Sequence, residues 1–312
     1  THSAEELQLH TIQMIDSFYR ERMAVHLALM MQKSLFYEVN TALKPGLVDR
    51  LHNGAHRDMC RYTFVKSAYA LTPYFLKCAQ EGLSFSGDLK ELPNLFQTLR
   101  PLGIRAEKEM LSATNGVNTH KGIIFSGGIF CAAAGFAKSF YAIDFESPDF
   151  PDLLGNICCH MLTDLLKDYD SINPNLPKSN GERLYLLHGI TGIRGEAHNG
   201  FPHVLKYGFS RFKEAQKAGF SLNDSGLLTL LYYIAHTDDT NLITRGNYEI
   251  SIKVRTALSE FLHDSSYEKQ LEILPLLDHY FIEKNLSPGG SADMLALTYF
   301  LYFLTKIACC FE

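Results

Sequence analysis

The chain has no C-x-x-C pair, no excess of positive charge, no alternating strand pattern of useful length and no low-complexity tract. Each absence narrows the choices. Seven cysteines are an odd number, and Cys158-Cys159 and Cys309-Cys310 are adjacent pairs. Together with isolated Cys60, Cys78 and Cys131 they read as reduced thiols packed in a core, not as a disulfide framework or a zinc site. A net charge of -5 supplies no field to recruit nucleic acid or an anionic membrane. The acidic start Thr1-His2-Ser3-Ala4-Glu5-Glu6 lacks the basic and apolar regions of an export signal, which points to the cytoplasm. Without an initiator Met, the sequence reads as trimmed or cut from something longer.

Long apolar runs are also scarce. The stretch 122–137 is short of the ~20 residues that cross a bilayer, and 294–311 is interrupted by Lys306, so both read as buried core helices. Neither G-x-x-x-x-G-K-[ST] nor G-x-G-x-x-G occurs, which disfavours the familiar nucleotide folds.

What is present is helical spacing. Leu27, Met30, Met31, Ser34, Leu35 and Val39 recur at three- and four-residue steps, as do the apolar residues of 222–234. Helices are predicted over 5–42, 57–81, 94–113, 120–142, 151–169, 203–218, 224–236, 248–284 with a break, and 291–310. The 312 residues, 46% of them hydrophobic, suit one compact all-α domain over 1–312. No repeat of solenoid length appears, and the run Asn173-Pro174-Asn175-Leu176-Pro177 reads as a surface loop or linker.

Glycines and polar residues gather in five breaks, where loops at helix ends can present backbone N–H groups. The first runs from Glu38 to Met59. Pro45 and Gly46 turn the chain, and Asp49 and Asp58 stand among Lys44, Arg50, His56 and Arg57, a mixture suited to phosphate with Mg²⁺ or merely to capping. Directly before an apolar helix lies the second, Gly116-Val117-Asn118-Thr119-His120-Lys121-Gly122. Asn118 or Thr119 can cap that helix, leaving its positive end and Lys121 as an anion site. Glycines flank Arg194 and Glu196 in the third break, Gly192 to Ala197. In the fourth, His236-Thr237-Asp238-Asp239-Thr240-Asn241 with Arg245-Gly246, adjacent acids at a helix C-terminus call for a cation. The fifth, Ser287-Pro288-Gly289-Gly290-Ser291-Ala292-Asp293, opens the last apolar helix as a phosphate-cradling loop would.

In this order the segments Lys-Pro-Gly-Leu-Val-Asp, Gly-Val-Asn-Thr-His-Lys-Gly, Arg-Gly-Glu-Ala, Asp-Thr-Asn with Arg-Gly, and Ser-Pro-Gly-Gly-Ser-Ala-Asp resemble the triphosphoribosyl-dephospho-CoA synthase family. The resemblance runs from about residue 38 to 312. Asp238 and Asn247 depart from it, each replacing a glycine of the family pattern.

The resemblance implies transfer of the triphosphoribosyl part of ATP to the 2′-hydroxyl of 3′-dephospho-CoA, with release of adenine. The product is the precursor of the prosthetic group of citrate lyase or malonate decarboxylase. It implies Mg²⁺ as cofactor, a downstream prosthetic-group transferase as a partner, and leaves a homo-oligomer open. Breaking an N-glycosidic bond calls for a carboxylate beside the ribose cation and a base for the hydroxyl. On this reading Glu38, Glu196 and Asp239 are catalytic, and Asp49, Asp58, Asp239 and Asp293 hold the metal. Lys44, Arg50, His56, Asn118, His120, Lys121, Arg194, Asn241, Arg245, Gly289, Gly290 and Ser291 bind the substrates and their phosphates. Two other readings remain: a Mg-dependent hydrolase of ADP-ribose-like glycosidic bonds, and a non-catalytic nucleotide or CoA sensor.

Overall fold

A computed structural model describes residues 4–306, and among these every regular element is helical, as expected. The first helix, α1 (Ala4–Asn40), packs its second half against α2 (Arg61–Ser84). Its first half stands in solvent, with Leu7, Ile12, Ile15, Phe18 and Tyr19 exposed. Next come α3 (Leu92–Ala113) and α4 (Lys121–Tyr141), the latter buried against α2, α1 and α5 (Phe150–Met161). At 21 residues α4 is long and apolar enough to cross a bilayer, longer than the run read from the sequence. Its side chains Ile123, Ile129, Phe130 and Phe136 are instead enclosed by protein, as befits a helix apolar on all sides.

Short helices lie where the sequence suggested loops: α6 (Asn180–His188), α7 (Gly192–His198) and, after α8 (Phe209–Lys217) and α9 (Leu222–His236), α10 (Thr240–Arg245). α7 and α10 are too short to display two turns of apolar periodicity, and side-chain caps mark the starts of α6 and α10. Ser179 accepts from Glu182 N at 3.1 Å, and the left-handed Gly189 ends α6. A π-helical turn, His203–Gly208, precedes α8, and 248–284 resolves into α11 (Tyr248–Asp264), α12 (Tyr267–Glu272) and α13 (Leu274–Glu283). The Asn173–Pro177 run remains irregular.

The last helix, α14 (Gly289–Leu304), has two apolar faces. Leu297, Phe300, Leu301 and Leu304 join the large core built by α1 to α5. Leu295, Tyr299 and Phe303 join a second apolar group with Leu227, Leu231, Leu258 and Phe281. The helix thereby fixes its own N-terminus, Gly289 to Asp293, between both groups. Cys78, Cys131 and Cys158 are buried free thiols, as read from the sequence, whereas Cys60 and Cys159 are only partly buried. Cys309 and Cys310 lie outside the described residues.

Candidate active site

The last turn of α1 delivers Glu38, and the chain folds back so that Lys44, 1% exposed, meets its carboxylate. The Lys44 ammonium also donates to the Glu38 carbonyl at 2.8 Å. Burial pushes the Glu38 carboxyl up, Lys44 opposes this, and the charge of Asp49 adds to it. Asp49 organises the loop: its oxygens accept from Lys44 N at 3.0 Å, Leu51 N at 2.7 Å and His52 N at 3.2 Å. Asp278, which the sequence reading did not single out, accepts from Gly46 N at 2.9 Å and pairs with His52 at 3.1 Å.

Asp239 joins the fourth break to the fifth. One oxygen caps α10, accepting from Asn241 N at 3.0 Å and Leu242 N at 3.1 Å. The other accepts from Ser291 N at 2.7 Å and Ser291 Oγ at 2.9 Å. Burial raises the Asp239 carboxyl and these donors pull it back. Asn241 stands against Gly289, and Gly290 against the Asp239 carboxyl. Asp293, one helical turn on, makes no hydrogen bond. Its pKa is pushed far up by burial, then by the charges of Glu38 and Asp239. The carboxyl lies against Gly122 in the first turn of α4, where any Cβ would overlap it. Three buried or half-buried acids thus meet at the N-termini of α4 and α14, where helix dipoles favour negative charge.

His120, at the N-terminal boundary of α4, is 3% exposed. Its Nδ1 is 2.6 Å from Ser67 Oγ on α2, and Thr119 Oγ1 donates to the same Ser67 oxygen at 2.7 Å. Burial and the nearby Lys44 charge push its pKa down to about 3. The imidazole is therefore neutral, which corrects its expected role as a phosphate-neutralising cation. Asn118 caps the turn through Lys121 N at 3.2 Å. Lys121 points away, pairing with Glu107 at 2.8 Å with 57% of its side chain exposed. Lys121→Ala should lower stability by no more than about 1 kcal/mol and change turnover less than about threefold; steady-state kinetics with a thermal melt checks this.

Several other expected ligands are committed elsewhere. Arg194 donates to Asp168 at 2.8 Å, a carboxylate shared with Arg100. Glu196, one of the expected catalytic carboxylates, accepts from His203 N at 2.7 Å and pairs with His203 Nδ1 at 2.8 Å, so it caps the π-helical turn. The third break is a helix whose contact with the cluster is Gly192 (φ +54°), packed on Thr240. Arg245 clamps loops together, donating to Ala55 O at 2.6 Å, Asn285 Oδ1 at 2.6 Å and Asn285 O at 3.0 Å. His56 bridges Ser287 Oγ at 2.7 Å and Arg245 at 3.2 Å. Arg50 spends its guanidinium on Asn40 O at 2.7 Å and Asn223 Oδ1 at 2.9 Å. Asp58 is exposed, and the helix expected from 57 starts at Arg61, which leaves Asp58 outside the acid cluster. Asn247 caps α11 through Ile250 N at 2.8 Å, and Asp238 pairs with Arg255.

Among the described residues no three His, Cys, Asp or Glu side chains form a ready metal cage. The open carboxylate of Asp293 beside Glu38 still suits a hard cation that takes one or two protein carboxylates and completes its shell with phosphate and water. Arg57, already grouped with the phosphate-suited residues of the first break, and Arg61, not singled out before, are both exposed and make no ion pair among the described residues, so their positive charge is available.

The family model described as ATP:dephospho-CoA triphosphoribosyl transferase (CitG) matches residues 24–310. The chain is 38% identical over 279 residues to a probable 2-(5''-triphosphoribosyl)-3'-dephosphocoenzyme-A synthase of Photobacterium profundum, covering 88% of this chain and 86% of that protein. It is 37% identical to the 2-(5''-triphosphoribosyl)-3'-dephosphocoenzyme-A synthase of Pectobacterium atrosepticum, covering 92% of each. It is also 39% identical to Protein CitXG of Leuconostoc mesenteroides subsp. cremoris, over 96% of this chain and 65% of that longer protein. No solved structure matches.

Proposed function

The chain belongs to the ATP:dephospho-CoA triphosphoribosyl transferase family, and from that premise we propose that it moves the triphosphoribosyl group of ATP onto the 2′-hydroxyl of 3′-dephospho-CoA. The bond from ribose C1′ to adenine N9 breaks, and its electron pair leaves with adenine. A bond from C1′ to the acceptor oxygen forms, and the hydroxyl proton balances the departing base. Membership in the family makes the chain a transferase, and the relatives favour transfer over hydrolysis or mere sensing.

The observation that carries the reading at this site is the convergence of Glu38 and Lys44, Asp239 and Ser291, His120 and Asp293 from separate breaks. Glu38 and Asp293 are the carboxylates placed to face a ribose that turns cationic as adenine departs. Asp239 and Asp49 hold the surrounding backbone in place, so their part is positional. Arg57 and Arg61, exposed and without an ion pair, are the cations available to neutralise the triphosphate. Mg²⁺ fits Asp293 with Glu38 beside it, and when bound it supplies charge neutralisation for the phosphates. The same reading includes a cytoplasmic location and delivery of the product to a prosthetic-group transferase serving citrate lyase or malonate decarboxylase.

Mass spectrometry after incubation with ATP, Mg²⁺ and dephospho-CoA should give dephospho-CoA enlarged by one triphosphoribosyl group, with one adenine released per product. Adenine formed equally well without dephospho-CoA would identify a hydrolase instead. Asp293→Asn should lower turnover at least about 100-fold while the thermal midpoint stays within a few degrees, since no hydrogen bond is lost.

A further inference from the structure

The Thr119, Ser67 and His120 side chains form a directed chain. Thr119 Oγ1 donates to Ser67 Oγ at 2.7 Å, so the Ser67 hydroxyl hydrogen is left for His120 Nδ1, its neighbour at 2.6 Å. A neutral ring that accepts at Nδ1 carries its proton on Nε2. That nitrogen is buried without a hydrogen-bond partner. Native proteins seldom leave a buried donor unpaired, and an orphan beside a reaction centre calls for an acceptor that arrives with the ligand. Around the ring are Phe64, edge-on at 5.1 Å between centroids, and Met110, whose sulfur accepts from His120 N at 3.3 Å. Apolar and polarizable walls of this kind suit a purine better than a phosphate, while Lys44 discourages a second proton on the imidazole.

We propose that His120 Nε2–H is a neutral hydrogen-bond donor to a ring nitrogen of the departing adenine, and that Ser67, backed by Thr119, is the positioning residue that fixes this tautomer. The proposal rests on the triphosphoribosyl-transfer reading and deepens it. As the C1′–N9 bond breaks, its electron pair builds negative charge on the purine. A fixed donor gains strength at that moment without giving up its proton, so it lowers the barrier more than it tightens binding. The proton that finally rests on adenine comes from the acceptor hydroxyl.

The test combines ring-nitrogen NMR with kinetics on the full chain. The His120 signals of the wild type should show the Nε2–H tautomer, and added ATP should shift the Nε2 signal. Ser67→Ala should mix the tautomers and lower kcat about 10-fold. His120→Phe should lower kcat about 100-fold with KM for ATP within about twofold, whereas His120→Gln, which keeps an N–H donor, should retain most of the rate. Thermal midpoints separate a folding defect from a kinetic one. An Nδ1–H tautomer in the wild type, an Nε2 signal indifferent to ATP, or a His120→Phe kcat within twofold of wild type would overturn the proposal. A wild type that makes no triphosphoribosyl product would instead sink the transfer reading, because tautomer and ATP response are read without turnover.

Discussion

Asp239→Ala is expected to remove at least about 4 kcal/mol of stability and to abolish measurable transfer. The loss is the sum of two mechanisms. An absent helix cap costs about 1 kcal/mol, and each buried donor stranded by the change adds about 1–3 kcal/mol. Leu242 N, Ser291 N and Ser291 Oγ all lose their acceptor at once. Urea unfolding measures the first effect and product mass spectrometry the second. A loss below about 1 kcal/mol would mean that α10 and α14 do not depend on this carboxylate. Asp239→Asn is milder, since the amide oxygen can still serve one set of donors.

The second large effect is expected at Lys44. Lys44→Met leaves Glu38 buried without its cation and should cost about 3–5 kcal/mol at neutral pH. The double variant Glu38→Leu with Lys44→Met should recover most of that, because an apolar pair of similar size avoids the desolvation of both charges. Neither protein should transfer triphosphoribose. The pH dependence follows from the raised carboxyl of Glu38. A folded pKa above the unfolded one means that the stability it contributes is complete below the ordinary carboxyl range and is lost as pH rises through the folded value. Without Lys44 the folded value climbs further, so the deficit of Lys44→Met should be small near pH 4 and full at pH 7. Urea midpoints of the three proteins at both pH values decide this. A deficit equally large in acid would assign the cost to packing around the lysine stem instead of to the stranded charge.

Much of this architecture is legible in the residues. The all-helical fold follows from spacing such as Leu27, Met31 and Leu35, and the convergence of Lys44, His120, Asp239 and Ser291 follows from the clustering of breaks at helix ends. What the sequence hides is direction. Arg194, Lys121 and Arg245 look alike as candidate phosphate ligands, yet each is spent on a partner distant in the chain: Asp168, Glu107 and Asn285. Only three-dimensional contact distinguishes a cation available to a ligand from one already neutralised. Charge state is hidden for the same reason, since His120 is neutral because of burial and Lys44, not because of its sequence neighbours. The short helices α7 and α10 escaped because seven and six residues show too little apolar periodicity, and α6 because it buries only Leu184 and is bounded by the Ser179 cap.

The double-faced packing of α14 has a consequence for how the catalyst comes into being. One face cannot dissolve without loosening the other, so Ser291 and Asp293 reach their places only after both apolar groups have closed on the same helix. Proteolysis or partial denaturant that frees either group should therefore extinguish turnover as a single event, leaving no half-assembled species with residual activity.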